Sequence, residues 1–426
     1  MKKLTEIITN IVEGVFAQCN YSPKYGLVTL SNRPDLCQFQ CNGALAAAKE
    51  YKRAPSAIAT EITTLLKKHP DIKEASCAMP GFINITLEDH FIVSYINAMI
   101  AADKFGCEEI GNNKTFIVDY GGPNVAKPLH VGHLRTAIIG ESIKRIGRFL
   151  GYKMLGDVHL GDWGLQIGLI IAELKRRSPD LIYFDESYKG EYPMEAPFNI
   201  TELEEIYPTA SSYAKSNPDF MEEAKQSTFL FQNGHRGYVA LWQHILNVSI
   251  EDLKKNYANL NVYFDLWKKE SDAQPYIPKM LEDLKNNGFA YLSDGALVVD
   301  VKDVSDTKDV PPCILVKSDG ATLYSTTDLA TIIERMELYN PDEIIYIVDK
   351  RQELHFEQVF RCAKKANLVP PNTKLTFLGF GTMNGKDGKP FKTRDGGVMR
   401  LEHLIKEASD KDPKFFLPEH NYFEKI

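Results

Sequence analysis

Hydrophobic residues in the first quarter of the chain change their spacing several times, which predicts a small domain with both helices and strands. After a first helix near the N-terminus, helices are predicted at residues 41–51, from Pro55 to near His69, and at 88–102. Residues 74–87 alternate as a strand does, with a break at Pro80 and Gly81. We expect a separate α+β N-terminal domain over residues 1–108. The first helix is predicted from apolar side chains at helical spacing, namely Ile7, Ile8, Ile11, Val12, Val15 and Phe16.

A different pattern begins near Lys114, where a short apolar run is followed by a long helical one. Residues 116–118 read Phe-Ile-Val, as a buried parallel strand would. After a glycine and proline break at 121–123, apolar residues recur at helical spacing from Leu134 to Leu150, and Gly151 follows as a typical cap. With a further strand at 153–158, this order predicts a doubly wound α/β fold, which binds ligands beyond the carboxyl ends of its strands.

We expect the second domain over residues 109–426, and we predict that an insertion interrupts its sheet. Residues 173–309 are charged and mostly helical in pattern, so we expect an insertion between two halves of the sheet. The sheet is expected to resume with a strand at 314–316. A helix from Tyr324 to Met336, capped by Thr326 or Thr327, and a strand at 343–348 complete the prediction.

Composition limits the class of protein. The chain has 426 residues, 44% hydrophobic and 25% charged, which suits two or three ordinary globular domains. The N-terminus has no signal pattern and no apolar run could span a membrane. Seven scattered cysteines without a Cys-x-x-Cys pair predict reduced thiols in the cytoplasm and no metal site, with Cys37 and Cys41 packed in a helix. The net charge of −7 argues weakly against a nucleic-acid partner.

The candidate chemistry lies at the start of the long helix. His130, Gly132 and His133 fall at its N-terminal end, after the strand and the glycine turn. A helix N-terminus offers free N–H groups to an anion, and Gly132 leaves room for a phosphate to approach the backbone. The two imidazoles can donate hydrogen bonds to phosphate oxygens. We interpret this segment as a phosphate site; the competing interpretation is two surface histidines.

Two longer segments narrow the interpretation. Residues 118–135 read Val-Asp-Tyr-Gly-Gly-Pro-Asn-Val-Ala-Lys-Pro-Leu-His-Val-Gly-His-Leu-Arg, and residues 156–166 read Gly-Asp-Val-His-Leu-Gly-Asp-Trp-Gly-Leu-Gln. Both closely resemble signature blocks of arginyl-tRNA synthetases, which are class I aminoacyl-tRNA synthetases. The resemblance runs from near the N-terminus to about Glu407. It implies a Rossmann-like catalytic domain that activates L-arginine with ATP and Mg²⁺ and transfers it to the terminal adenosine of tRNA(Arg).

The resemblance also implies an arginine-binding set. Asp119 and Asn124 match the positions at the α-amino and carboxylate end of arginine. Tyr324, Asp328 and Gln352 match the positions on the guanidinium side. A planar carboxylate or amide suits a guanidinium because it can pair with it bidentately. For each residue taken alone, a satisfied turn or a capped helix is the alternative.

A second ATP-binding element is expected in residues 385–397, in the place of the mobile Lys-Met-Ser-Lys-Ser loop of most class I synthetases. If Phe391 takes the methionine place, Pro390 and Thr393 take the two lysine places, so the usual catalytic lysine is missing. In the family, a lysine three residues before the first signature histidine is thought to replace it, which is Lys127 here. A solvated hairpin turn is the competing interpretation. The residues assigned to catalysis are His130, His133 and Lys127, and those assigned to ATP are the same three with Gly132, Phe391, Lys392 and Arg394.

The two ends of the chain carry further expectations from the resemblance. The N-terminal domain is expected to contact the elbow of the tRNA. Family members continue with a helical anticodon-binding domain, which we expect to be absent here, either by truncation or because the chain is a short paralogue. A synthetase-like protein that holds arginine or ATP without charging tRNA is therefore the main alternative, and a small-molecule adenylyltransferase is a weaker one. We expect a monomer.

Overall fold

The computed structural model describes residues 1–127, 129 and 131–381. They form two compact units that divide between Glu109 and Ile110. Neither unit has a helix, among those described, that is long and apolar enough to cross a membrane.

The first unit is a four-stranded antiparallel sheet in the order β1-β2-β4-β3, packed against helices. Its core is built from the apolar stripes of α1 and α3 and the inward side chains of the strands, including Phe16, Ile62 and Ile83, all fully buried. The α+β architecture predicted for this region is confirmed. The elements are α1 (Leu4–Gln18), β1 (Val28–Leu30), β2 (Phe39–Cys41), α2 (Gly43–Tyr51), α3 (Pro55–Leu66), β3 (Ile72–Ala78), β4 (Phe82–Leu87) and α4 (Asp89–Ala101).

The cysteine prediction for this unit was wrong in one respect. Cys37 precedes β2 and Cys41 ends it, so the two do not share a helix. Cys41 pairs across the sheet with Val28 and Ile83, and α2 begins only at Gly43. A three-residue strand is too short to produce a periodic pattern, so the alanine-rich run after it dominated the prediction. All seven cysteines are free, as expected.

The second unit is built on a five-stranded parallel sheet in the order β12-β11-β5-β6-β7. The predicted strand, long helix and strand at its start are confirmed. The elements are β5 (Thr115–Asp119), α5 (Val131–Phe149), β6 (Lys153–Leu160), α6 (Leu165–Arg177), α7 (Ile200–Ser216), α8 (Pro218–Gln232), α9 (Arg236–Ala258), β7 (Leu266–Lys269), α10 (Glu270–Ala273), α11 (Ile277–Asn286), β8 (Ala290–Ser293), β9 (Ala296–Val299), β10 (Cys313–Val316), α12 (Tyr324–Tyr339), β11 (Glu343–Asp349), α13 (Glu353–Lys365) and β12 (Lys374–Phe380).

The predicted insertion needs correction at its C-terminal end. Helices α7, α8 and α9 form the expected helical layer, but β7 lies inside residues 173–309 and pairs with β6 in the central sheet. The strand expected to resume that sheet, at 314–316, instead forms β10 of a separate antiparallel sheet with β9 and β8. The sequence of β7, Leu-Trp-Lys-Lys, has one apolar pair and no alternation, so no strand pattern could be recognised.

Helix α6 joins the sheet to the helical layer. Eight consecutive residues, 167–174, are buried, because the helix packs on several sides and its sequence is apolar almost all round. The contact with α8 is especially close at Gly168. A Cβ there would lie 2.0 Å from Thr228 Oγ1 and 2.1 Å from the backbone oxygen of Ala224.

We predict that Gly168→Ala destabilises the second unit by about 1–3 kcal/mol, because α6 and α8 must separate to admit one methyl group. Thermal unfolding should show a melting temperature lowered by several degrees. Gly164→Ala, just before the same helix, is the control, since a Cβ there has no neighbour within 4 Å. Equal melting temperatures for the two variants would contradict the packing argument.

Candidate active site

Polar side chains gather where the parallel strands of the second unit end. Asp119 is the last residue of β5, Gly161 and Asp162 follow β6, and Glu270 follows β7. Because all these strands are parallel, their carboxyl ends lie along one edge of the sheet. This edge is where doubly wound folds bind ligands.

The glycine turn after β5 is held against the end of β6. Gly121 has a φ of +79°, which favours glycine, and Asn124 forms an isolated bridge with Gly161. The Gly161 N–H donates to the Pro123 carbonyl at 3.1 Å, and the Val125 N–H donates to the Gly161 carbonyl at 3.0 Å. A Cβ on Gly161 would lie 2.1 Å from Asn124 Oδ1. A side chain at residue 161 would therefore displace the amide of Asn124 from its present position.

The start of α5 is tied to two strands of the sheet through one threonine. Thr136 Oγ accepts from the Gly121 N–H at 3.1 Å and donates to the Ile347 carbonyl at 2.7 Å. This places Gly132 and His133 in the first turn of α5, at the same edge. The N–H groups of that turn can receive an anion. His130 lies outside the described residues.

Lys127 lies in the same turn, before α5. Its ammonium is 4.5 Å from the centre of the Tyr207 ring on α7, a cation–π contact. The other predicted ATP residues, Phe391, Lys392 and Arg394, lie outside the described residues, as does the whole of 385–397.

Helix α12 brings a second pair of predicted residues. Tyr324 is its first residue and is 74% exposed, and Asp328 follows one turn later on the same face. Asp328 Oδ2 lies 2.6 Å from His355 Nε2 on α13. Burial works against a charged His355, but the hydrogen bond and charge of Asp328 outweigh it and raise the pKa of the imidazole. Thr326 does not precede the helix as a cap; it lies within the first turn and its hydroxyl accepts from the Leu323 N–H at 3.4 Å.

Glu270 was not predicted as a site residue. Burial raises its pKa above the usual range, and the carboxylates of Asp162 and Asp328 raise it further, while His159 opposes them. The pKa of Tyr324 is raised by partial desolvation of its hydroxyl and then by the charge of Glu270, although most of the tyrosine side chain is exposed. Helix α10, which begins at Glu270, packs against α12, the helix of the predicted pair. Recognition of β7 would have revealed it, as the residue that follows a parallel strand.

Asp162 and Asp119 are both held by neighbouring side chains. Asp162 is fully buried and accepts from the Ser271 N–H at 2.9 Å and from its hydroxyl at 2.7 Å. Asp119 accepts from Arg335 at 2.5 Å. Gln352 lies just after β11, at the same edge, and is exposed.

The edge therefore combines two complementary charge environments. Asp119, Asp328 and Glu270 offer carboxylates, which suits a ligand with positive groups. The first turn of α5 and Lys127 offer N–H groups and a cation, which suits phosphate. A molecule with both kinds of group, or two molecules in contact, would fit the edge.

Two family profiles match the chain. One, described as the catalytic domain of class I tRNA synthetases for arginine, covers residues 95–422. The other, described as the N-terminal domain of arginyl-tRNA synthetases, covers residues 2–87.

Individual relatives agree with these profiles. An arginine–tRNA ligase from Agathobacter rectalis is 61% identical over 96% of this chain and 69% of the relative. One from Alkaliphilus oremlandii is 62% identical over 96% of this chain and 70% of the relative. The crystal structure of the arginyl-tRNA synthetase from Plasmodium falciparum is 26% identical, with a TM-score of 0.71 over the whole of this chain and 71% of that one. The Thermus thermophilus arginyl-tRNA synthetase, 18% identical, shares the fold with a TM-score of 0.65 over 97% of this chain and 72% of that one.

Proposed function

Because the chain belongs to the class I arginyl-tRNA synthetases, we propose that its arginine and ATP sites lie at the carboxyl edge of the parallel sheet. The protein is an arginine–tRNA ligase. L-arginine is activated by ATP to arginyl-adenylate, and the arginyl group passes to the terminal adenosine of tRNA(Arg).

The grouping of Asp119, Asp328 and Glu270 at one edge carries the proposal for the amino-acid site. Arginine has two positive groups, the guanidinium and the α-ammonium. We assign the guanidinium to Asp328 and Glu270, with the hydroxyl of Tyr324 beside them. Asp328 uses Oδ2 for His355, so Oδ1 is the atom assigned to the substrate.

The α-ammonium end of the substrate is assigned to the carboxyl end of β5, the first strand of the second unit. Asp119 receives the α-ammonium, and the amide of Asn124 completes the polar lining at this end, whereas Gln352 belongs with Tyr324 and Asp328 on the guanidinium side. The bridge between Asn124 and Gly161 supports this assignment, because it fixes the asparagine before any ligand binds. Fixed polar groups lose little entropy when a substrate arrives.

ATP is assigned to the first turn of α5. Activation requires the arginine carboxylate to attack the α-phosphorus while pyrophosphate leaves, so the protein must mainly position the reactants and stabilise charge. His130 and His133 are assigned to the phosphates, Gly132 to their close approach, and Lys127 to the growing negative charge. Phe391, Lys392 and Arg394 are assigned to a loop that closes over ATP.

Mg²⁺ is proposed to accompany the phosphates of ATP. Within the described ranges no group of three or more histidine, cysteine, aspartate or glutamate residues could hold a metal ion. We assign the ion to the nucleotide, because phosphate oxygens are usual ligands of Mg²⁺. When bound, the Mg²⁺ ion would neutralise phosphate charge. The residues assigned above act on the reactants directly.

We assign the first unit to the elbow of the tRNA. The match of residues 2–87 to the N-terminal domain of the family supports this. A cytoplasmic location is proposed as well, and the seven free cysteines are consistent with a reducing compartment. A monomer is proposed for the oligomeric state.

The first test is arginine-dependent exchange of pyrophosphate into ATP, with and without tRNA(Arg). We expect exchange that depends on arginine, because activation is reversible. Replacement of arginine by lysine should abolish it, since lysine lacks the planar guanidinium. Arginine binding without exchange under any condition would instead indicate a protein that holds the amino acid without activating it.

A second prediction separates the two halves of the site. His133→Ala and Lys127→Ala should lower the exchange rate about 10²-fold or more with little change in the KM for arginine, because they act on phosphate charge. Asp328→Asn and Gln352→Ala should raise that KM about tenfold, because they remove partners of the substrate. Glu337→Gln, an exposed acid on α12, is the control for a lost charge. Unchanged kinetics in both variants of a pair would refute the role assigned to that pair.

The raised pKa of Glu270 leads to a pH prediction. As pH falls, Glu270 takes up a proton at a higher pH than an ordinary glutamate, and its attraction for the guanidinium is lost. The affinity for arginine should therefore fall by up to about tenfold per pH unit below this raised pKa. Glu270→Gln should bind arginine weakly at every pH and lack this change. If the pH dependence persists in Glu270→Gln, another acid causes it, such as Asp162, whose pKa burial also raises.

A further inference from the structure

Two neighbouring peptide carbonyls after β6 accept hydrogen bonds from the helical layer. The indole N–H of Trp242 on α9 donates to the Asp162 carbonyl at 3.1 Å. The side-chain amide of Gln232, at the end of α8, donates to the Trp163 carbonyl at 2.6 Å. The two donors lie 80 and 69 positions further along the chain than the carbonyls they bind. This short segment of the sheet edge is therefore held by the predicted insertion.

The Trp163 ring is enclosed by the same two helices. Its centre lies 5.1 Å from the Phe231 ring on α8 and 5.6 Å from the Trp242 ring on α9, with an edge-to-face arrangement in both cases. The Phe231 and Trp242 rings are stacked, with their centres 6.2 Å apart. Aromatic pairs prefer these arrangements, so the three rings stabilise one another in place. The helical layer thus contacts both the ring and the backbone of Trp163.

Asp162 and Trp163 also contact the start of α10, which carries Glu270. The buried Asp162 carboxylate accepts from the Ser271 N–H at 2.9 Å and from the Ser271 hydroxyl at 2.7 Å. The first of these bonds satisfies an N–H that the helix itself leaves unpaired. The Trp163 N–H donates to the Glu270 carboxylate; burial is the main cause of the raised pKa of Glu270, and this hydrogen bond is among the effects that oppose the rise. Residues 162 and 163 therefore join the helical layer to Glu270.

A single peptide group connects the two sides. The Asp162 carbonyl and the Trp163 N–H belong to the same planar trans peptide, so they point in opposite directions. The carbonyl faces Trp242, and the N–H faces Glu270. Rotation of this peptide would break both hydrogen bonds at once. The bond from Trp242 therefore determines the direction of the N–H that meets the carboxylate.

We propose that Trp242 and Gln232 are positioning residues, which fix the peptide groups on either side of residue 163 so that its N–H orients the Glu270 carboxylate toward the substrate. This inference rests on the proposed assignment of Glu270 to the guanidinium of arginine. A carboxylate that is already held in place pairs with a guanidinium at a lower entropic cost than one that rotates freely. The helices of the insertion thus contribute to arginine affinity without touching the amino acid.

Trp242→Phe is the most direct test, because it keeps an aromatic ring but removes the N–H. It should weaken arginine binding about five- to tenfold, the effect of one lost hydrogen bond. Gln232→Ala, at an exposed position, should weaken it about two- to fivefold. Neither change should alter the affinity for ATP, which is assigned to the first turn of α5. Gln243→Ala is the matched control and should alter neither affinity, because this exposed glutamine follows Trp242 but bonds to Asn247 on its own helix at 2.9 Å.

The experiment is calorimetric titration of the whole chain with arginine and, separately, with ATP. Each dissociation constant reports on the folded molecules, so a partly unfolded preparation still gives a valid value. Glu270→Ala is then combined with Trp242→Phe and with Gln232→Ala in double-mutant cycles. Glu270→Ala alone should weaken arginine binding about tenfold or more. Once that carboxylate is gone, each second change should weaken binding less than about twofold further, whereas independent effects would multiply.

The outcomes separate this inference from the assignment on which it rests. If Glu270→Ala weakens arginine binding but Trp242→Phe and Gln232→Ala do not, their contacts only stabilise the fold and the inference is overturned, while the Glu270 assignment stands. Equal losses of arginine and ATP affinity, or losses that multiply with that of Glu270→Ala, would overturn it as well. If Glu270→Ala leaves arginine binding unchanged, the assignment itself is wrong and the inference falls with it. A wild-type chain that does not bind arginine would overturn the proposed arginine site as a whole.

Discussion

The parallel pairing of β5, β6, β7 and β11 is the constraint on which the candidate site depends. Parallel strands must all end at the same edge, and residues distant in the sequence become neighbours there. Asp119 and Glu270 are 151 positions apart, yet each follows or ends a strand of the same sheet. The helices between them include α7, which places Tyr207 beside Lys127, and the buried helix α6.

That same edge must accommodate opposite charges without cancelling them. The first turn of α5 is electropositive, while the ends of β5 and β7 carry acids. Thr136 bonds to the ends of both β5 and β11, and the Asn124–Gly161 bridge closes the turn between β5 and β6. These fixed contacts keep the first turn of α5 apart from the acids at the ends of β5 and β7, which a flexible loop could not do.

Much of the fold could be predicted because it rests on periodic patterns. The strand of β5, the long helix α5 and the strand of β6 follow from their apolar spacing, and Asp119, Asn124 and Asp328 follow from motifs beside them. Short elements could not be predicted: β2 has three residues and β7 has four, so neither shows a period. Glu270, which we propose as a site residue, follows β7 and could not be predicted for the same reason.

Arg335 shows a second reason why sequence alone falls short. Its segment, Ile-Ile-Glu-Arg-Met-Glu, has the charged residues typical of a solvated helical face, although Glu334 and Arg335 are both buried. Burial of these charges is possible only because β5, β6 and β7 present Asp119, Asp157 and Lys268 as partners. Such pairing depends on sheet register, which carries no local signal.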